Sequence, residues 1–340
     1  MLRSKFYGLK ADEKKTIFEA ISNKTGMPAF AVEKDWWVTE TLAIIFEMDI
    51  ASHLVFKGGT SLSKSWKLIH RFSEDIDLAI DRKFFGYEGD LSKSQKTAMR
   101  KDAGKYIIGE FYNDLRKKFE ERDLNAEFNV VEAVDSDQDP RIIEIYYSSI
   151  IPTPGYVQPR VQVEIGCRSL REPFKDCIFG SLVDEQYEGS DFVAPLITIP
   201  TVFAERTFLE KLFLLHEEFH RPIEKIRVDR LSRHLYDVYY LSKTDAASNA
   251  LNDQELYQTI VAHRYAFSKM GGVDYNLHNP KSLDPMPHEK VIDAWAADYK
   301  KMVEEMIYEE TPPTFDQLLE SVSAVKAKLA SLEWEYTLEF

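Results

Sequence analysis

Cysteine is nearly missing from this chain: Cys167 and Cys177 are the only two in 340 residues. Two thiols cannot make a disulfide scaffold, and their spacing is not that of metal ligands, so a stapled secreted module is excluded and reduced thiols in a cytoplasm are expected. No apolar run approaches membrane length, and Met1 to Lys15 is charged throughout, so neither a membrane contact nor a signal segment is expected. Surplus positive charge is also lacking. The balance 43 − 57 = −14 argues against a protein that coats nucleic acid nonspecifically, while leaving a local basic face open. What remains is an ordinary globular composition, 44% hydrophobic and 29% charged, in a length that suits two domains or one large domain with a helical accessory part.

The most informative stretch runs from Leu54 to Ile80. An apolar run, Leu54 to Phe56, meets a Gly58-Gly59 turn. A helix-like segment follows from Ser61 to His70, and then a strand-like run carries Asp75 and Asp77. Two glycines at a strand-to-helix turn let the backbone approach a ligand closely, and unpaired N–H groups there suit a phosphate. Thr60 and Ser61 add hydroxyls. Asp75 and Asp77, two apart on a strand, send both carboxylates from one face, where they can share Mg²⁺. The Asp pair alone says little, because chance gives about 340 × (57/340)², or roughly 10, acidic-x-acidic triplets in such a composition. The composite is far rarer. Its bland counterpart is a glycine turn followed by a solvated edge strand.

Gly58-Gly59-Thr60-Ser61-Leu62 followed by Arg71-Phe72-Ser73-Glu74-Asp75-Ile76-Asp77 resembles the signature of the DNA polymerase β type nucleotidyltransferase superfamily. More narrowly, it is similar to the AbiEii/AbiGii toxin family of abortive-infection and toxin–antitoxin systems, which includes the MenT-type tRNA nucleotidyltransferase toxins. Val32-Glu33-Lys34-Asp35-Trp36-Trp37, Glu205 to Leu212, and Arg233-His234-Leu235-Tyr236-Asp237 fit the same family. The resemblance spans roughly residues 30 to 240.

That resemblance implies an α/β (α+β) fold: a nucleotidyltransferase-type mixed sheet core at 51–195, a helical N-terminal extension at 1–50 and a helical C-terminal domain at 196–340. It implies transfer of a nucleoside monophosphate from an NTP to a hydroxyl. Asp75, Asp77 and Glu164 are then the carboxylates for two Mg²⁺ ions. Lys211 and Asp237 complete the catalytic set. Lys57, Gly58, Gly59, Thr60, Ser61, Lys64, Arg71 and Ser73 line the nucleotide, with Lys211, Arg230 and Arg233 as further phosphate contacts. The implied partners are a tRNA 3′ end as acceptor and a cognate antitoxin.

Along the chain, Ala11 to Ser22 and Pro28 to Met48 have helical spacing, with Phe30, Val38, Leu42, Ile45 and Phe46 as a buried stripe. Trp36 and Trp37 fit packing, or stacking on a base. Phe84 to Leu91 reads as a loop, and Ser92 to Glu121 as a long amphipathic helix. Strand-like runs follow at Glu127 to Val134, Ile142 to Ser148 and Arg160 to Cys167, punctuated by Pro152 to Gly155. In the third, Val161, Val163 and Ile165 alternate with Gln162 and Glu164, so Glu164 faces away from the core as a solvated acid, a metal ligand or a base. Residues after Pro200 read as helical to 242, placing Arg230, Arg233 and Asp237 on one stripe, where Arg233 and Asp237 could simply pair. Arg221, Lys225, Arg227, Arg230 and Arg233 make the densest basic patch. His216, His220 and His234 lack the pattern of a zinc hydrolase. Ala246 to Phe340 reads as more helices, with loops around Tyr275 to Pro287.

An enzyme that transfers a nucleotide to RNA is the leading expectation. Transfer to a protein or small molecule is the alternative within catalysis, and a non-catalytic nucleotide-binding module is the alternative outside it.

Overall fold

The computed structural model describes residues 5–153 and 158–340. Pro154 and Gly155 of the expected Pro/Gly punctuation lie outside the described residues. The chain divides into two compact units, Met1–Ser65 with Phe72–Val202, and Trp66–Arg71 with Phe203–Phe340.

The first unit is a seven-stranded mixed sheet with helices. Its strands are β1 (Leu54–Lys57), β2 (Asp75–Ile80), β3 (Ala126–Val130), β4 (Arg141–Tyr147), β5 (Arg160–Gly166), β6 (Phe174–Phe179) and β7 (Ile197–Val202), in the order β3-β4-β5-β2-β1-β7-β6. β2 runs parallel to β5, and β1 parallel to β7; every other pairing is antiparallel. Period-two alternation decides the faces. Ile76, Leu78, Val161, Val163, Ile165, Ile143 and Ile145 are buried on one side, which leaves Asp75, Asp77, Gln162 and Glu164 on the other.

Helices α1 (Ala11–Thr25) and α2 (Ala29–Ile45) precede the sheet. The expected single stripe on α2 is too narrow: it packs against α1, the sheet and later helices, and Glu33, Lys34, Trp36, Trp37 and Glu40 are buried as well. Trp36 and Trp37 are packing residues, with the Trp37 ring stacked on Tyr147 at 4.8 Å. Helix α3 is short, Gly58–Lys64, and does not reach His70; Trp66–Arg71 already belongs to the second unit. Helices α4 (Lys93–Tyr106) and α5 (Tyr112–Glu121), joined by a π-turn, fill the expected amphipathic segment, opened by Ser92 and Gln95 in a reciprocal cap. A five-residue helix α6 (Leu182–Gln186) completes this unit.

Strands β6 and β7 were not expected. Pro200 lies inside β7, opposite Asp176, and pairing with β1 begins only at Thr201, so the proline occupies a position where a ladder donor is not needed on the β1 side.

The second unit is helical: α7 (Ala204–Phe219), α8 (Arg233–Leu241), α9 (Asp245–Asn252), α10 (Gln254–Ser268), α11 (Ile292–Met306) and α12 (Phe315–Ala330). The wholly helical stretch expected after Pro200 is interrupted at 220–232 by a short 3₁₀ turn and loop, in which Arg230 takes a left-handed φ of 58°. Both cysteines are free and buried. Among the described residues no helix is long and apolar enough to cross a membrane.

Candidate active site

The carboxylates of the first unit are placed by strand register. Asp75 pairs with Gln162 and Asp77 with Glu164 across β2 and β5, while Asp77 pairs with Lys57 across β2 and β1. Fully buried Ile76 and Leu78 anchor β2 to the core and direct both Asp side chains to the opposite face, where Glu164 also lies. Burial raises the Glu164 carboxyl above its ordinary value, and the charges of Asp77 and Asp75 push it the same way. The Gln162 amide, donating to Glu164 Oε1 at 2.8 Å, and the Lys57 charge oppose this.

The glycine turn sits directly against this group. Gly58 has φ +80°, and a Cβ there would fall 2.0 Å from Asp77 Oδ2. Only glycine leaves room for the carboxylate. The hydroxyls beside it are already committed. Thr60 Oγ1 donates to the Asp75 carbonyl at 2.5 Å and lies 2.9 Å from Ser73 Oγ, and Ser61 Oγ donates to the Gly58 carbonyl at 2.9 Å. Thr60 and Ser61 are both fully buried. They tie the turn to β2, and the main chain of the turn is what remains for a ligand. Lys64 turns to Asp35 of α2, whose other oxygen accepts the Leu182 N–H at 2.7 Å.

One residue of this neighbourhood was read from the sequence as packing, without a site role. Lys34, buried on α2, pairs with Glu74 and donates to the Gln158 carbonyl at 3.1 Å. Burial lowers its ammonium pKa, and the charges of Glu74 and Asp75 hold it up. The available signal was a lysine inside a helix that is apolar on nearly every side.

In the second unit, Asp237 is fully buried and accepts a bidentate pair from Arg71, Nε at 2.7 Å and Nη2 at 2.8 Å, together with Lys211 Nζ at 2.6 Å. Burial alone would push its carboxyl up, but the Arg71 and Lys211 charges outweigh burial and hold it well below the carboxylate range. Two cations, Arg71 and Lys211, thus meet on one buried carboxylate. Arg233 opens α8, but Arg230 lies before it in the turn, where Asp298 accepts the N–H groups of Arg230 at 2.8 Å and Ser232 at 3.0 Å. The expected Arg230–Arg233–Asp237 helical stripe is therefore not formed. In the basic patch, Arg221 and Arg227 both bind buried Glu218, Arg227 through Nε at 3.0 Å and Nη2 at 2.6 Å. His216 is buried, with Nδ1 accepting the Asp284 N–H at 2.9 Å and its ring centroid 4.0 Å from that of His220.

Among the described residues no group of three or more His, Cys, Asp and Glu converges in metal-ligand geometry. The first unit offers instead an Asp pair with a third carboxylate opposite, close enough to couple electrostatically without closing on a point.

Comparison with known proteins identifies the family and the fold. Residues 42–321 match the family described as nucleotidyl transferase AbiEii toxin, type IV TA system. MenT4, a nucleotidyltransferase toxin from Mycobacterium tuberculosis H37Rv, is similar in structure with a TM-score of 0.56 at 17% identity, over 93% of this chain and 90% of that one. JHP933 from Helicobacter pylori aligns at a TM-score of 0.40 and 15% identity, over 87% of this chain and 94% of that one. No curated protein sequence matches the chain.

Proposed function

The chain belongs to the AbiEii nucleotidyl transferase toxin family of type IV toxin–antitoxin systems, and from that premise we propose that it transfers a nucleoside monophosphate from an NTP to the 3′ hydroxyl of tRNA. The observation that carries this reading is the seating of the Gly58 backbone against Asp77, with Asp75 beside it and Glu164 one strand away.

The donor set suits hard cations, because three carboxylates share one face, and burial first, then the charges of Asp77 and Asp75, lift the Glu164 pKa. Asp75 and Asp77, with Glu164 as third carboxylate, would hold two Mg²⁺ ions whose charge offsets that of the phosphates and acidifies the acceptor hydroxyl. The main chain at Gly58 and Gly59 approaches the β and γ phosphates, and Lys57, whose charge already reaches Glu164, faces them from the end of β1. As the acceptor oxygen bonds to the α-phosphorus, the bond from that phosphorus to the bridging oxygen breaks and pyrophosphate leaves. The acceptor hydroxyl, acidified by the Mg²⁺ charges, would give its proton to solvent. In the second unit, Arg71 and Lys211 both hold the buried Asp237 carboxylate.

The test is incubation with MgCl₂, each labelled NTP and total cellular RNA. Wild type is expected to label tRNA. Asp75→Ala and Asp77→Ala are expected to fold and to lose at least about 100-fold in rate, as when a charge-stabilising group is removed. A variant retaining a tenth of wild-type transfer would sink the metal assignment, and label appearing in protein instead of RNA would overturn the acceptor. Expression of the toxin alone should slow growth, with relief from its antitoxin.

A further inference from the structure

The geometry points to Arg160 as a phosphodiester-binding residue for the acceptor RNA, on the β5 side of the carboxylates, a role that rests on the transfer reaction above. The glycine turn leaves the end of β1, on one flank of β2, and β5 lies on the other flank. A triphosphate held at the turn has its leaving group on the β1 side. Attack in line with that leaving group brings the acceptor hydroxyl in over β5, past Glu164.

On the same face of β5, two and four residues before Glu164, stand Gln162 and Arg160. The Arg160 side chain is 28% exposed and pairs with Glu144, which is 7% exposed and also accepts Asn129 Nδ2 at 2.9 Å and the Tyr146 hydroxyl at 2.9 Å. Three donors on one buried carboxylate fix the guanidinium in place. A guanidinium carries five N–H donors in a planar fork, so pairing with Glu144 leaves donors for a second anion. Arg160 is also the cation of β5 beside a row of acids, and its charge reaches as far as Lys34.

Four residues of strand separate the Cα atoms of Arg160 and Glu164 by about 13 Å. An RNA strand whose 3′ hydroxyl reacts at Glu164 continues beyond that point, and its upstream phosphodiester is the anion that the guanidinium would meet.

The test compares tRNA with adenosine as acceptor, in wild type, Arg160→Gln and Arg160→Lys. The expected result for Arg160→Gln is a tRNA KM raised about tenfold, the cost of one charge-assisted contact, and a salt dependence flatter by about one unit of slope. The KM for adenosine and for NTP should stay within about twofold of wild type. Arg160→Lys keeps the ion pair with Glu144 and should recover part of the loss, which separates phosphate binding from damage to the fold. An unchanged tRNA KM in Arg160→Gln overturns the subsite. So does an equal rise for tRNA and adenosine, which would mark a structural role. Wild-type protein that labels adenosine or protein but no RNA overturns the acceptor reading itself, and the subsite with it.

Discussion

Replacing Gly58 by alanine isolates the close approach on which the active site depends. The substitution has two costs. The first is conformational: φ is +80°, and a residue with a Cβ pays about 1–2 kcal/mol in that region. The second is steric. The new Cβ would lie 2.0 Å from Asp77 Oδ2 and 2.8 Å from its Cγ, where ordinary contact begins at 3.4 Å, so the carboxylate must retreat by about 3.4 − 2.0 = 1.4 Å. The main chain of Asp77 cannot absorb this, being paired to Lys57 on one side and Glu164 on the other, between fully buried Ile76 and Leu78. Misplacing a positioned group by about 1 Å costs about 100-fold in rate. Gly86 is the matching control, with φ +79° and nothing within 4 Å of the point where a Cβ would stand, so Gly86→Ala carries the backbone cost without the clash. Both variants should remain folded, since 1–2 kcal/mol is a fraction of the roughly 5–15 kcal/mol typical of native proteins. Initial rates of nucleotide transfer, with thermal unfolding as the check on folding, should show Gly58→Ala down about 100-fold and Gly86→Ala near wild type. A Gly58→Ala enzyme with more than a third of wild-type activity, or an equal loss in Gly86→Ala, would refute the steric account.

Two further outcomes follow from buried charge. Asp237→Asn leaves Arg71 and Lys211 without their counter-charge and should destabilise the protein by about 3–5 kcal/mol in urea unfolding; a loss below about 1 kcal/mol would contradict the pairing. Because the Asp237 carboxyl is held below its ordinary value, its contribution is present above the unfolded carboxylate pKa and lost as pH falls toward the folded one. Glu40 behaves in the opposite sense. Burial lifts its pKa from 4.5 to about 7 against the opposing charge of Arg122, so its contribution is greatest below the unfolded value and declines as pH rises to about 7. The gap, 7 − 4.5 = 2.5, corresponds to about 3 kcal/mol. Glu40→Gln should therefore gain on wild type between about pH 5 and pH 8 in urea unfolding, and parallel stability curves for the two proteins would refute the assignment.

Local chemistry by itself determined the parts of this protein whose conformations depend on near neighbours in the chain. The Gly58-Gly59 turn, the Asp75-Ile76-Asp77 alternation, the Ser92-capped amphipathic segment and the outward face of Glu164 follow from periods of 2 and 3.6 and from the freedom of glycine. These patterns set a glycine turn before a strand with two acids on one face, while the mixed α/β class was read from the family resemblance.

Tertiary structure alone decided the rest, because each remaining feature depends on a partner distant in sequence. Pro200 reads locally as a break, yet β6 and the end of β1 hold it in a strand. Lys34 reads as a packing residue, and only the seating of α2 against the sheet supplies its partner Glu74. The Thr60 and Ser61 hydroxyls read as ligand donors, until the fold brings the carbonyls of Asp75 and Gly58 to them. Asp237 reads as a late site acid or as the i+4 partner of Arg233, and only the fold brings Arg71, 166 positions away, to grip its buried carboxylate through two N–H donors.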